Sequence, residues 1–157
     1  MTKFQLKNIF KVAYEIILIS LQFFIISLHF FQWEFLPQKP IIKVSSFSYL
    51  IGILIIIIAF IIMLVAIKDL GKNLSPFPRP LNNSDLVTTG IYRFTRHPMY
   101  YSLIFISIGV FIMKLSIYYL FLTISLALII KFKIALEEKY LINKFKNYLL
   151  YKNEVKY

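Results

Sequence analysis

The sequence predicts an all-α membrane protein with about four transmembrane helices, the last two closing as a tight helical hairpin with a cytoplasmic helical extension. Three observations predict it. The chain is 59% apolar with a mean hydropathy of +0.74, above the apolar content of about 45–50% usual for soluble domains. Its apolar residues fall in four runs, near 12–31, 47–67, 99–113 and 115–130. Its basic residues are spread unevenly around those runs. Of 18 lysines and arginines, only Lys39, Lys43 and Lys114 lie between the first and second runs or between the third and fourth. The other fifteen lie on the opposite side, an asymmetry that puts both termini in the cytoplasm by the positive-inside rule. Residues 1–157 then make one integral-membrane domain. Two spans fill 1–67, and a long loop, the hairpin and a C-terminal helix fill 68–157, leaving no length for a separate soluble module. In a bacterium this membrane is the inner one.

The first span, Val12–Phe31, is long enough for a hydrocarbon core of about 30 Å. Its apolar run exceeds a signal-peptide core and no small-residue cleavage site follows, so it reads as a retained anchor. Glu15, in its first turn, is expected to be an interfacial carboxylate near the helix N-terminus. His29 and Trp33 are expected to form an aromatic belt at the other end, and Pro37 and Pro40 mark a short outer loop. The second span, Phe47–Ile67, is almost wholly aliphatic and carries no chemistry. Within the polar stretch from Lys68 to Arg96, Pro76, Pro78 and Pro80 forbid a continuous helix. Loops of such length are more often functional than idle. Pro98 suits the first turn of the third helix, with His97 at or beside its cap. That helix spans about 22 Å at 1.5 Å per residue, so it stops short of a full crossing or tilts into thinned bilayer before returning through Lys114. Its partner runs from Leu115 and is expected to continue past the membrane as one helix towards Tyr151, with Leu126, Ile130, Ile134, Leu141 and Phe145 near helical spacing.

Composition also excludes classes of function. The net charge of +11 faces anionic headgroups and not nucleic acid, because no aromatic-interleaved basic groove or nucleic-acid motif accompanies it. With no cysteine, disulfides, thiolate metal sites and a cysteine nucleophile are out. His29 and His97 lack ligand-like spacing, so no metal site is expected.

Polar side chains at a membrane boundary cost free energy unless they bind something. Gly90–Tyr100, G-I-Y-R-F-T-R-H-P-M-Y, places a histidine, two arginines and several hydroxyls there, and the adjacent carboxylates Glu137 and Glu138 follow where the last apolar run ends. On a helix those two are about 100° apart, so only one can face a given site. Read singly, each feature has a plainer role: Glu137 with Lys133 as an i,i+4 ion pair, and Arg93 and Arg96 as topology determinants. Together they gain force, because the hairpin brings the cytoplasmic entry of one helix beside the cytoplasmic exit of the next, where His97 and Glu137 can share a pocket.

These residues carry a resemblance. L-G-K-N-L-S-P at 70–76, L-V-T-T-G-I-Y-R-F-T-R-H-P-M-Y at 86–100 and E-E-K-Y-L at 137–141, with Tyr148, Tyr151 and Val155, resemble the isoprenylcysteine carboxyl methyltransferase and phospholipid methyltransferase superfamily over more than half the chain. The resemblance implies an integral-membrane methyltransferase using S-adenosylmethionine. It implies cofactor contacts at Asp85, Leu86, Val87, Tyr92, His97, Pro98, Met99, Tyr100 and Glu137 and a substrate contact at Lys133; beside these, Arg96 and Glu138 are read as the catalytic residues. Lysine at 133 stands where the carboxyl methyltransferases use arginine, which removes a bidentate grip on a carboxylate substrate.

The chemistry agrees with the residue types. A carboxylate such as Glu137 can accept hydrogen bonds from the amine or diol of S-adenosylmethionine, His97 or the helix N-terminus can take its carboxylate, and Tyr92 and Tyr100 offer aromatic faces. No G-x-G-x-x-G follows a strand, so a Rossmann-type site is excluded. Methyl transfer to a carboxylate needs no general base; transfer to an amine or hydroxyl does, and Glu138 or His97 would supply it. The partners implied are membrane lipids and a lipophilic or lipid-linked acceptor, with no nucleic acid and no metal. Two other classes compete. An NADPH-dependent sterol-reductase-like oxidoreductase would be expected to show R-D and a late tryptophan where this chain has Glu137-Glu138 and none. A non-catalytic membrane protein would keep the motif for helix packing alone.

Overall fold

The computed structural model describes residues 3–31 and 39–156, the side chains of 3, 4, 7 and 8 excepted. Trp33 and Pro37 lie outside the described residues. The regular elements among the described residues are all helices: α1 (Lys3–Phe30), α2 (Ser46–Leu70), α3 (Pro98–Lys114), α4 (Ile117–Lys144) and α5 (Tyr148–Glu154), with 3₁₀ turns at Gly71–Asn73 and Gly90–Arg93. Three segments, Ile9–Phe30, Ser46–Asn73 and Ile117–Lys144, are long and apolar enough to cross a membrane, and α3 is a shorter apolar helix. This is an integral membrane protein.

Local chemistry sets the helix ends. Ser45 and Ser48 cap α2 reciprocally, satisfying donors that a helix start leaves open. Pro98 opens α3 behind His97. At the far end Leu115 adopts a left-handed conformation, φ 45°, and its N–H bonds Phe111 O at 2.7 Å. Ser116 then caps α4 through Tyr118 N–H, so two residues reverse the chain and the expected tight hairpin forms.

Small residues decide which helices meet. α3 packs between α2 and α4, and α4 packs on α1. A Cβ built on Gly109 would lie 2.6 Å from Ile56 Cγ1 and 2.8 Å from the Gly52 carbonyl, and one on Gly52 would lie 2.6 Å from the Gly109 carbonyl. Such mutual backbone approach is how helices gain contact in lipid, where no hydrophobic force drives them together. Gly109→Ala therefore tests two opposed effects. Helix propensity alone favours alanine by about 1 kcal/mol, whereas overpacking costs about 1–3 kcal/mol. We expect a lower thermal midpoint in detergent; a higher one would show that α2 and α3 can part without penalty.

Three expectations need correction. The last helix does not run unbroken to Tyr151: α4 ends at Lys144, Phe145 is extended, and α5 begins at Tyr148. Phe145 turns in to pack with Tyr148, Tyr151, Val155, Leu86 and Leu141, and burying those aromatic rings outweighs a few more helical hydrogen bonds. Glu15 is no solvated interfacial carboxylate. It is 3% exposed, accepts from Arg79 Nη2 at 3.1 and 3.3 Å and takes the Tyr140 hydroxyl. Two turns on, Gln22 accepts from Lys133 Nζ at 2.6 Å, so α1 is joined through buried polar pairs to α4 and, through Arg79, to the proline segment. His29 is no belt residue either: its Nε2 meets Ser107 Oγ at 2.7 Å, and that oxygen meets Thr123 Oγ1 at 2.8 Å, a polar clasp across α1, α3 and α4.

Candidate active site

The motif segment is built around one glycine. Gly90 has φ +60°, and a Cβ there would lie 2.0 Å from Asp69 Oδ2, the atom that accepts the Ile91 N–H at 2.7 Å. Only glycine gives both the backbone conformation and the room. The carboxylate at the end of α2 thus fixes the 3₁₀ turn that delivers Tyr92, which is buried. Its carbonyl accepts the Tyr151 hydroxyl at 2.6 Å, tying α5 to the motif.

At the N-cap of α3, His97 is 4% exposed and its ring lies over Tyr100, centroids 5.8 Å apart. The Tyr100 hydroxyl donates to Glu137 Oε2 at 2.7 Å. Glu138 points elsewhere, as successive helical residues must. It accepts from Arg96 Nε at 3.0 Å and Lys152 Nζ at 2.6 Å, with Arg96 Nη2 at 2.9 Å and His97 Nε2 at 3.4 Å from the same oxygen that takes Nε. Arg96 Nη1 also donates to the carbonyls of Val155 and Lys152. The two carboxylates thereby divide: Glu137 borders open space while Glu138 is the hub of a cationic cluster.

That open space is a cavity of about 110 Å³ between α3, α4, α5 and the segment 73–87. Nine of the twelve residues singled out from the sequence line it: Asp85, Leu86, Val87, Tyr92, Arg96, His97, Met99, Tyr100 and Glu137. Pro98, Lys133 and Glu138 do not. Pro98 is buried at the helix start. Lys133, 2% exposed, stands over the Tyr100 ring at 5.1 Å and bonds Gln22 and the Pro76 carbonyl; no Lys133–Glu137 ion pair forms among the described residues. Sequence reasoning missed the rest of the wall, Phe77, Pro78, Arg79, Phe145, Tyr148 and Tyr151 among it. Tyr148 and Tyr151, three apart on one short helix, were the available signal.

Electrostatics keep the aromatic wall neutral. Burial, then the Glu137 charge, pushes the Tyr92 phenol up from its ordinary value, and burial pushes Tyr151 up to about 12. The exposed Asp85 carboxyl is held down by Lys72, 2.8 Å away. The cavity therefore offers the Glu137 carboxylate, an Asp85 carboxylate already paired with Lys72, tyrosine faces with protonated hydroxyls, an imidazole and the guanidiniums of Arg79 and Arg96, a set suited to a ligand with a cationic or diol end and a flat ring. Among the described residues no three of His, Cys, Asp and Glu could hold a metal ion.

The family model described as phospholipid methyltransferase matches residues 47–148. The chain is also similar to the protein-S-isoprenylcysteine O-methyltransferase of Saccharomyces cerevisiae, 33% identical over 128 residues, which cover 74% of this chain and 53% of that protein. It thus spans about half the length of the curated relative it matches. No solved structure matches.

Proposed function

The chain belongs to the phospholipid methyltransferase family, and from that premise we propose that its cavity binds S-adenosylmethionine and that the methyl group passes to a lipophilic or lipid-linked acceptor at the cytoplasmic face of the membrane. The observation that carries this reading is Glu137, a carboxylate on the cavity wall held by the Tyr100 hydroxyl among tyrosine rings. When bound, S-adenosylmethionine supplies a methyl group made electrophilic by its sulfonium. The chain's share is alignment and exclusion of water. Glu137, Tyr92, His97 and Tyr100 would hold the cofactor, with Met99 and the backbone of 85–87 completing the wall. Glu138 is already held by the Arg96 and Lys152 cations and lies 3.4 Å from His97 Nε2, so we assign it to positioning His97 and Arg96, and leave His97 to take a proton where the acceptor is an amine or hydroxyl. Lys133 stands over the Tyr100 ring behind the cavity wall and would meet the acceptor's polar end only by giving up its bond to Gln22. At about 110 Å³ the cavity is below the roughly 300–1,000 Å³ of ligand pockets, so loading displaces the irregular segment 74–89, the wall with least secondary structure.

Calorimetry on detergent-purified protein tests the reading: S-adenosylmethionine should bind and NADPH should not. Binding of NADPH alone would favour a reductase, and binding of neither a non-catalytic role. The cytoplasmic placement rests on the fifteen basic residues on one side. Cysteines introduced singly at the exposed positions Lys72 and Asn153 of this cysteine-free chain should react only with a membrane-permeant reagent; labelling by an impermeant one in intact cells would invert the topology.

A further inference from the structure

Two buried side-chain oxygens find no hydrogen-bond partner among the described residues, Thr95 Oγ1 and the Tyr148 hydroxyl. Thr95 is away from the cavity, whereas Tyr148 lines it. Tyr148 is also 1% exposed, so its hydroxyl has given up bulk water with nothing from the protein in return, a cost of about 1–3 kcal/mol. Its neighbour on α5 shows the ordinary arrangement: the Tyr151 hydroxyl is taken by the Tyr92 carbonyl at 2.6 Å. The two rings meet edge to face, 5.9 Å between centroids, and with Val155 they form one packed cluster. Tyr148 is therefore held in place by its ring while its polar end is unused. Burial, then the nearby Glu138 charge, raises its phenol above the ordinary value, which keeps it a donor at neutral pH.

We infer that Tyr148 is a ligand-binding residue whose hydroxyl donates a hydrogen bond to an oxygen or nitrogen of the cofactor bound in the cavity. The inference rests on the reading that S-adenosylmethionine is that cofactor. It separates two effects that a merely structural tyrosine would join. Removing an unpartnered buried hydroxyl relieves a cost in the empty protein, and removes a bond only in the loaded one.

The test pairs Tyr148→Phe with Tyr151→Phe. Tyr148→Phe should leave the thermal midpoint of the unliganded protein unchanged or raised, and weaken S-adenosylmethionine binding roughly 5- to 10-fold by calorimetry. Tyr151→Phe should lower the unliganded midpoint, because it strands the Tyr92 carbonyl. A Tyr148→Phe protein that binds as tightly as the wild type, or that loses stability without ligand, overturns the inference while leaving the proposed function standing. Wild-type protein that fails to bind S-adenosylmethionine overturns both.

Discussion

Glu137→Gln should weaken S-adenosylmethionine binding by about 1.5–3 kcal/mol, the scale of a hydrogen bond to a charged group, or roughly 10- to 150-fold. The substitution preserves shape, and the glutamine carbonyl can still accept from the Tyr100 hydroxyl that now lies 2.7 Å from Oε2, so the wall should stay in place. What is lost is the negative charge that Glu137 places on the cavity wall. The adjacent residue supplies the contrast. Glu138→Gln removes the charge that Arg96, His97 and Lys152 share, away from the cavity, so its first effect should be on the thermal midpoint. Calorimetry and thermal unfolding of both variants separate the roles. Equal cofactor affinity in wild type and Glu137→Gln would remove that carboxylate from the binding site.

What the sequence makes legible is what is local. Apolar runs, Pro98 at a helix start and the 100° between Glu137 and Glu138 depend on residues close in the chain, and each has its counterpart in the structure. The Gly90–Tyr100 motif was legible as a cluster, though the reason for its glycine, the Asp69 carboxylate 21 positions earlier, was not. Partners set by tertiary folding were hidden. Glu15 meets Arg79 across 64 residues and Lys133 meets Gln22 across 111, and no spacing rule links a first span to a proline segment or to the middle of the last long helix. For the same reason Lys133 looked like the ion-pair partner of Glu137, four residues away. Desolvation decided otherwise: an ammonium this deep needs a fixed acceptor, which Gln22 provides. The break after Lys144 was illegible because helical spacing continues through Phe145 in the sequence, and only the aromatic packing around Tyr148 shows that the chain does better by turning.

Arg96→Ala should be the most damaging single change, because this side chain links α3, α4 and the C-terminal segment. Its guanidinium reaches Glu138 through Nε and Nη2 and the Val155 and Lys152 carbonyls through Nη1. Arg96 and Glu138 are only 11% and 12% exposed at their side chains, so solvent can replace little of what alanine removes. Breaking a buried pair from one side costs about 3–5 kcal/mol; the remaining His97 and Lys152 contacts to Glu138 place the expected loss near the lower figure. Structure should be lost first in α5, whose remaining ties are the Lys152–Glu138 pair, the Tyr151–Tyr92 hydrogen bond and the aromatic cluster. Limited trypsin digestion should then cut at Lys152 well before the wild type is cut, and cofactor binding should fall with it, since Tyr148 and Tyr151 form part of the cavity wall. Arg96→Lys keeps the charge but not the fork that spans a carboxylate and two carbonyls at once, so it should fall between the two. An Arg96→Ala protein with wild-type melting and wild-type resistance at Lys152 would mean that the aromatic cluster alone secures α5.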